Sequence, residues 1–162
     1  MNTPDTLPSS KLGQSHLEGA AGQKNTSEIL RVIPLGGLGE IGKNMMALEY
    51  EDNIIVIDAG IMFPQEGMLG VDLIVPDFTY LEARREKVKA ILITHGHEDH
   101  TGALPYILKR LNVPVYTGAL TQGLINVKLR EHGLQNTTTI NMIEPGSKMT
   151  IGPFEIEFFR VC

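Results

Sequence analysis

Tryptophan is absent from the 162 residues, aromatic side chains make up only 6%, and the single cysteine is the last residue, Cys162. A lone cysteine excludes an internal disulfide, and a reducing compartment is the expectation. No apolar run reaches the ~18 residues of a membrane-spanning helix. Residues 1–23 also lack the basic start and apolar stretch of a secretory signal. The expectation is a soluble, cytoplasmic protein with no membrane partner. Positive charge is lacking too. A formal net charge of −5 gives no bulk attraction to a polyanion, so nucleic-acid binding would need a local basic patch or a bound metal. What the chain does have is 42% hydrophobic content, enough over this length for one sizeable core.

The first 27 residues are rich in Ser, Thr, Gly, Gln, Asn and Pro and poor in large apolar groups, which predicts a disordered tail. His16 lies in it without neighbouring ligand types and reads as a solvated side chain. From Ile29 onward, short apolar runs alternate with glycine and polar turns. The runs 29–34, 44–50 and 54–58 read as three strands in hairpin order. Residues 77–87 read as a helix on the spacing of Phe78, Leu81 and Arg85, with Asp77 placed to cap it. A buried strand over 90–94 follows, then a helix over 100–111, a strand over 113–116, and a helix over 119–132 ended by Gly133. Three further strands, 138–143, 148–151 and 154–161, flank turns at Pro145-Gly146 and Gly152-Pro153. This order predicts an α/β fold, with one globular unit over 28–162.

Gly37-Leu38-Gly39-Glu40-Ile41-Gly42 matches the dinucleotide fingerprint, with Asp58 near the position of a ribose-binding acid. A helix of about ten or more residues should follow the third glycine, yet the segment to Tyr50 allows barely two turns before Asn53. The spacing favours a glycine turn between two antiparallel strands, and no nucleotide cofactor is expected.

The run His95-Gly96-His97-Glu98-Asp99-His100 places four metal-ligand types within six residues, directly after the apolar stretch Ile91-Leu92-Ile93. Imidazoles suit zinc and similar borderline metals, and a carboxylate can hold a metal and orient its water at once. One loop cannot surround a single ion with all four groups. The natural division is two sites, His95 and His97 on one metal and Asp99 and His100 on the other, with further ligands from elsewhere. Two close metals generate a nucleophilic water near neutral pH and clamp a phosphoryl or acyl oxygen, so hydrolysis is the expected chemistry, with Asp99 helping to position the water. Glu98 reads as solvated. Asp58 closes the buried run Ile54-Ile55-Val56-Ile57 ahead of the small Ala59-Gly60. A carboxylate there is expected to accept hydrogen bonds from the ligand loop and fix an imidazole orientation, the alternative being a plain strand-end cap.

Asp58 and His95-x-His97-x-Asp99-His100 together resemble the first two motifs of the metallo-β-lactamase superfamily. More narrowly, Leu35-Gly36-Gly37-Leu38-Gly39-Glu40-Ile41-Gly42-Lys43-Asn44, Ile57-Asp58-Ala59-Gly60, Val75-Pro76-Asp77 and Thr94 to His100 resemble the bacterial ribonuclease J family of β-CASP nucleases, from about Ile29 to the end. The resemblance implies the N-terminal half of an αββα fold, an α+β sandwich, and an enzyme of RNA maturation and decay. That enzyme would have 5′-to-3′ exonuclease and endonuclease activities, two divalent metals (zinc or manganese), RNA as substrate, and dimeric or tetrameric assembly. It also implies a parent of several hundred residues, with the third-motif histidine, the bridging aspartate, the final histidine and the 5′-phosphate pocket beyond Cys162. This chain then reads as an N-terminal fragment, inactive alone. Cys162 sits one place early to substitute as a thiolate ligand.

Some members of that family carry a structural calcium near the loop that holds Gly70-Val71-Asp72, which makes Gly70 and Asp72 a candidate calcium site beside the plain-loop reading. His132, just before Gly133, reads as a cation favourably placed at a helix C-terminus, with no catalytic role. Lys109, Arg110, Lys128 and Arg130 read as solvated helix faces. Two alternatives to an RNA hydrolase stand beside it: a thioester or lactam hydrolase using the same histidine loop, and a non-catalytic binding module built on half the fold.

Overall fold

The computed structural model describes residues 29–161; the expectations for residues 1–27, His16 and Cys162 lie outside them. Six strands form one sheet in the order β1 (Arg31–Gly36), β2 (Met45–Tyr50), β3 (Asn53–Ile57), β4 (Val88–Leu92), β5 (Val115–Thr117), β6 (Ile140–Met142). The first three pair antiparallel and the rest run parallel from β3 onward. The remaining strands, β7 (Lys148–Ile151) and β8 (Phe154–Glu157), form a separate hairpin. No helix among the described residues is long and apolar enough to cross a membrane.

The middle of β3 reads as an unbroken apolar run because both of its faces are covered. Ile54 and Val56 join a core with Leu81, Leu104, Ile107, Ile125 and Leu129 from the helices. Ile55 faces the other way, with Ala90 and Leu92, against Ile151, Phe154 and Ile156 of the β7–β8 hairpin. Each fully buried Leu or Ile contributes roughly 1.5–3 kcal/mol, so the sheet and its helical layer are fixed mainly by these contacts.

Two predicted helices are shorter than their periodicity suggested. Residues 77–87 divide into α1 (Thr79–Glu82) and a 3₁₀ turn (Arg85–Lys87). Four consecutive charged residues from Arg84 to Lys87 offer no apolar face. Arg84 leaves helical geometry and lays its guanidinium 3.9 Å over the Tyr80 ring. Asp77 still braces the start of α1 by accepting from the Thr79 N–H and hydroxyl. Residues 100–111 divide into α2 (Glu98–Thr101) and α3 (Leu104–Leu108). Pro105 has no N–H to continue the ladder, and the Ala103 N–H turns out to the Ala59 carbonyl at 2.8 Å. The long helix α4 (Ala119–Glu131) follows expectation, with Gly133 at φ +70° closing it.

One buried charge was not anticipated. Glu49 on β2 is 2% exposed and accepts from the Tyr80 hydroxyl, with Arg31 at 3.6 Å and Lys87 at 3.8 Å. Burial and the facing carboxylate raise the Tyr80 pKa, which keeps the hydroxyl a donor. This network ties α1 to β1 and β2 at the end of the sheet away from the histidine loop.

Candidate metal centre

The histidine loop leaves the sheet where β4 ends, and its last residues form α2. Residues 58–61, leaving the neighbouring β3, run beside it and are hydrogen-bonded to it residue by residue. The Ala59 N–H donates to the His100 carbonyl (2.8 Å) and the Ile61 N–H to the Glu98 carbonyl (3.1 Å), while the Gly60 N–H donates to the Asn44 carbonyl (3.0 Å). The Asn44 N–H in turn donates to the Asp99 carbonyl at 3.1 Å. Gly60 is the point of closest approach: a Cβ there would stand 1.6 Å from the Asp99 carbonyl oxygen.

Asp58 sits at the centre of this weave, 6% exposed and at φ +61°, in the left-handed region that Asp tolerates better than most side chains. The turn out of the strand aims its carboxylate at the loop. It accepts from the Thr94 N–H (2.8 Å), from the Thr94 hydroxyl (2.8 Å to Oδ2), and from His100 Nδ1 at 2.7 Å. An ionised carboxylate can only accept, so the His100 proton is on Nδ1 and the Nε2 lone pair is free to point outward. With its only proton given to Asp58, the Thr94 hydroxyl accepts from His95 Nδ1 at 3.0 Å, which likewise leaves His95 Nε2 as an acceptor. Burial, together with the neighbouring His100 and His97, holds the His95 pKa below the usual imidazole value. That direction favours the neutral ring, the form that ligates metals.

The four expected ligands gather in one place, the His95 and His100 rings standing 4.0 Å apart between centroids. His95 Nε2 faces His97 Nδ1 at 3.1 Å, and His100 Nε2 faces Asp99 Oδ2 at 3.4 Å. No three His, Cys, Asp or Glu side chains among the described residues are grouped to hold one ion. Two donors about 2.05 Å from a tetrahedral ion stand roughly 3.3 Å apart, so each pair has the span and the donor chemistry of half a ligand shell. Asp99 is further held by Asn44, whose Nδ2 lies 3.0 Å from Asp99 Oδ2, 3.1 Å from the Asp99 carbonyl and 3.2 Å from His100 Nε2.

Two other expectations are revised by the contacts. Glu98 is not simply solvated: its carboxylate accepts from Lys128 Nζ at 2.5 and 2.6 Å. Lys128 is correspondingly not on a free face, since only 16% of its side chain is exposed and it braces the ligand loop against α4. His132 caps the end of α4 as expected, with its ring edge-on to Tyr106 at 5.2 Å between centroids. Gly70 and Asp72 lie on an exposed turn, Gly70 at φ +79°, and no group of three acidic or imidazole side chains gathers there among the described residues. The glycine segment 37–42 is the turn between antiparallel β1 and β2, with Gly37, Gly39 and Gly42 all at positive φ.

Reading the sequence missed Asn44, Thr94 and Gly60 as parts of the site. The signals were their places within the segments that resemble the ribonuclease J family: Thr94 immediately before the first histidine, Gly60 two residues after the carboxylate, Asn44 closing the glycine turn.

A mixed sheet with helices on one face and a hairpin on the other, carrying His-x-His-x-Asp-His at a strand end, defines a class of metallohydrolase. The family model for the metallo-beta-lactamase superfamily matches residues 38–155, and the chain belongs to that superfamily. Membership implies divalent-metal binding. Within that class the chain is similar to ribonuclease J 1 of Streptococcus pyogenes serotype M3, 46% identical over 129 residues, covering 80% of this chain and 23% of that protein. It is also 46% identical over 138 residues to ribonuclease J of Helicobacter pylori, covering 85% of this chain and 20% of the relative. Ribonuclease J2 of Bacillus subtilis is 43% identical over 138 residues, covering 85% and 25%. The chain thus spans a fifth to a quarter of the length of these relatives. Among solved structures, the metallo-beta-lactamase fold protein YhfI from Bacillus subtilis superposes with a TM-score of 0.52 at 18% identity, covering 79% of this chain and 51% of that one. That likeness concerns the fold alone.

Proposed function

We propose that the chain supplies the N-terminal, metal-binding part of a divalent-metal-dependent ribonuclease, with residues 28–162 forming the first part of its metallo-β-lactamase domain. The observation that supports this most is the pairing of His95 with His97 and of Asp99 with His100, each at the span of two ligands on one ion, in a chain so similar to ribonuclease J proteins. In this reading His95 and His97 would hold one cation and Asp99 and His100 a second, zinc or manganese, the imidazole content favouring zinc. When bound, two such cations supply Lewis acidity toward water and toward the phosphodiester oxygens. The chain's own residues do the rest. Asp58 fixes the His100 tautomer, Thr94 passes that order on to His95, and Asn44 holds the Asp99 carboxylate where it can accept a hydrogen from the attacking water. RNA as substrate, a homodimeric or tetrameric parent and a cytoplasmic location belong to the same proposal. A thioester or lactam hydrolase and a non-catalytic module are not favoured, because the relatives at 43–46% identity are ribonucleases by name.

The test has two readouts. Elemental analysis, after zinc loading, of the longer protein that contains this segment is expected to find bound zinc, lost in large part in His97→Ala. In the longer protein that contains this segment, Asp99→Ala is expected to abolish decay of a 5′-monophosphorylated RNA while nitrocefin and a glutathione thioester stay untouched by either form. Wild-type turnover of nitrocefin or the thioester without RNA decay would sink the RNA assignment, and absence of zinc from the wild type would sink the metal centre.

A further inference from the structure

Beside Asp99 a cavity of about 630 Å³ opens between the glycine segment and the chain leaving β3. One wall is Ile41 and Gly42, the other Met62 and Phe63, and Asp99 stands where the cavity meets the histidine loop. Ile41 is 93% exposed and Phe63 64%. Large apolar side chains displayed together beside a catalytic loop mark a surface for binding.

The walls are held firmly. The Lys43 N–H donates to the Ile61 carbonyl at 2.9 Å, and a Cβ on Gly42 would stand only 3.0 Å from that same oxygen. Met62 and Ile74 exchange two backbone hydrogen bonds of 2.9 Å in an antiparallel bridge, which pins the chain immediately before Phe63. The ring therefore stands on a fixed backbone.

The charge lining the cavity decides what can enter. Glu40, Glu98 and Asp99 all border it, and Glu40 and Glu98 are already paired, with Lys43 at 3.1 Å and with Lys128. A phosphate would meet carboxylates there. A neutral, flat group with a π-face meets an aromatic ring and an aliphatic wall instead.

We infer that Phe63 is a stacking platform for the nucleobase adjoining the reacting phosphodiester, with Ile41 as the apolar wall of the same subsite. This deepens the RNA reading and rests on it. Stacking of this kind is tolerant of base identity, because every base presents a π-face. Phe63 is thus a positioning residue: the base goes to the ring, and the linked phosphate falls toward the histidine loop.

The test compares two 3′-labelled 2′-O-methyl oligoribonucleotides of equal length, one with all its bases and one abasic, binding by fluorescence anisotropy to the zinc-loaded longer protein that contains this segment. Phe63→Ala is expected to raise Kd for the base-bearing strand roughly 5- to 150-fold, the range for one lost base–aromatic stack, and to leave the abasic strand unchanged. Phe63→Tyr, which keeps the ring, is expected to stay near wild type on both. Zinc content and melting midpoint serve as the folding check, and neither should move for so exposed a side chain. Unchanged binding of the base-bearing strand to Phe63→Ala, or equal weakening on both strands, overturns the stacking role while leaving the RNA reading intact. Failure of the zinc-loaded wild type to bind either strand removes both.

Discussion

Gly60→Ala is expected to destabilise the chain by about 3 kcal/mol or more, at or beyond the upper end of ordinary overpacking, and to lower the zinc content of the loaded protein. A methyl group would stand 1.6 Å from the Asp99 carbonyl oxygen and 2.1 Å from its carbon. Those are backbone atoms, so no rotamer change relieves the clash. The neighbours cannot yield freely either, because residues 59 and 61 are hydrogen-bonded to the carbonyls of His100 and Glu98. The histidine loop would have to move out as a body, pulling Asp99 from Asn44 and His100 from Asp58. Thermal unfolding is expected to show a midpoint lower by about 10 °C. Gly123→Ala supplies the contrast: nothing lies within 4 Å of a Cβ there, within α4. That change is expected to be neutral or to stabilise by up to about 1 kcal/mol, since alanine is the better helix former. A Gly60→Ala protein with wild-type midpoint and wild-type zinc would refute the close weave described for residues 58–61.

The second large effect is expected from Asp58→Asn. Asparagine keeps the size and, like aspartate, accepts a left-handed backbone, so the φ of +61° is not what is being tested. What changes is acceptor capacity. The carboxylate serves the Thr94 N–H, the Thr94 hydroxyl and His100 Nδ1 together, and an amide has one oxygen for those partners and an NH₂ that repels donors. His100 loses the partner that fixes its proton on Nδ1, and Thr94 is no longer committed to accept from His95. Zinc affinity is expected to fall roughly 10- to 100-fold, the usual cost of removing a group that orients a metal-binding imidazole. Calorimetric titration of zinc into the two proteins measures it. Equal affinities would mean that Asp58 only caps the strand.

The metal-ligand types were legible because four of them crowd into one short segment, which few other pressures on a sequence produce. The expected division into two pairs came from a steric reason: one short loop cannot wrap a single ion with all four side chains. The glycine turn was separable from a nucleotide loop because too few residues follow it to build the required helix. Asn44 and Thr94 were not legible in the same way. Their importance depends on hydrogen bonds to residues 55 and 36 positions away in the chain, and an asparagine after a turn or a threonine in an apolar stretch has many commoner explanations. Helix lengths failed where periodicity outlasted the backbone's ability to continue, at Arg84 and at Pro105. Lys128 was misread because a charge on a helix reveals nothing about a carboxylate 30 residues earlier.

The side-chain amide of Asn44 carries two hydrogens, yet three acceptors lie within reach: the Asp99 carbonyl, the Asp99 carboxylate and the lone pair on His100 Nε2. Two side-chain hydrogens cannot serve all three at once, and the Asp99 carbonyl also takes the Asn44 backbone N–H at 3.1 Å. In the proposed loaded state a cation takes the His100 lone pair, and the two remaining acceptors match the two hydrogens. Ion binding would then settle a standing competition within the protein, and the same count makes Asn44 the residue through which occupancy of one site is felt by the backbone of Asp99.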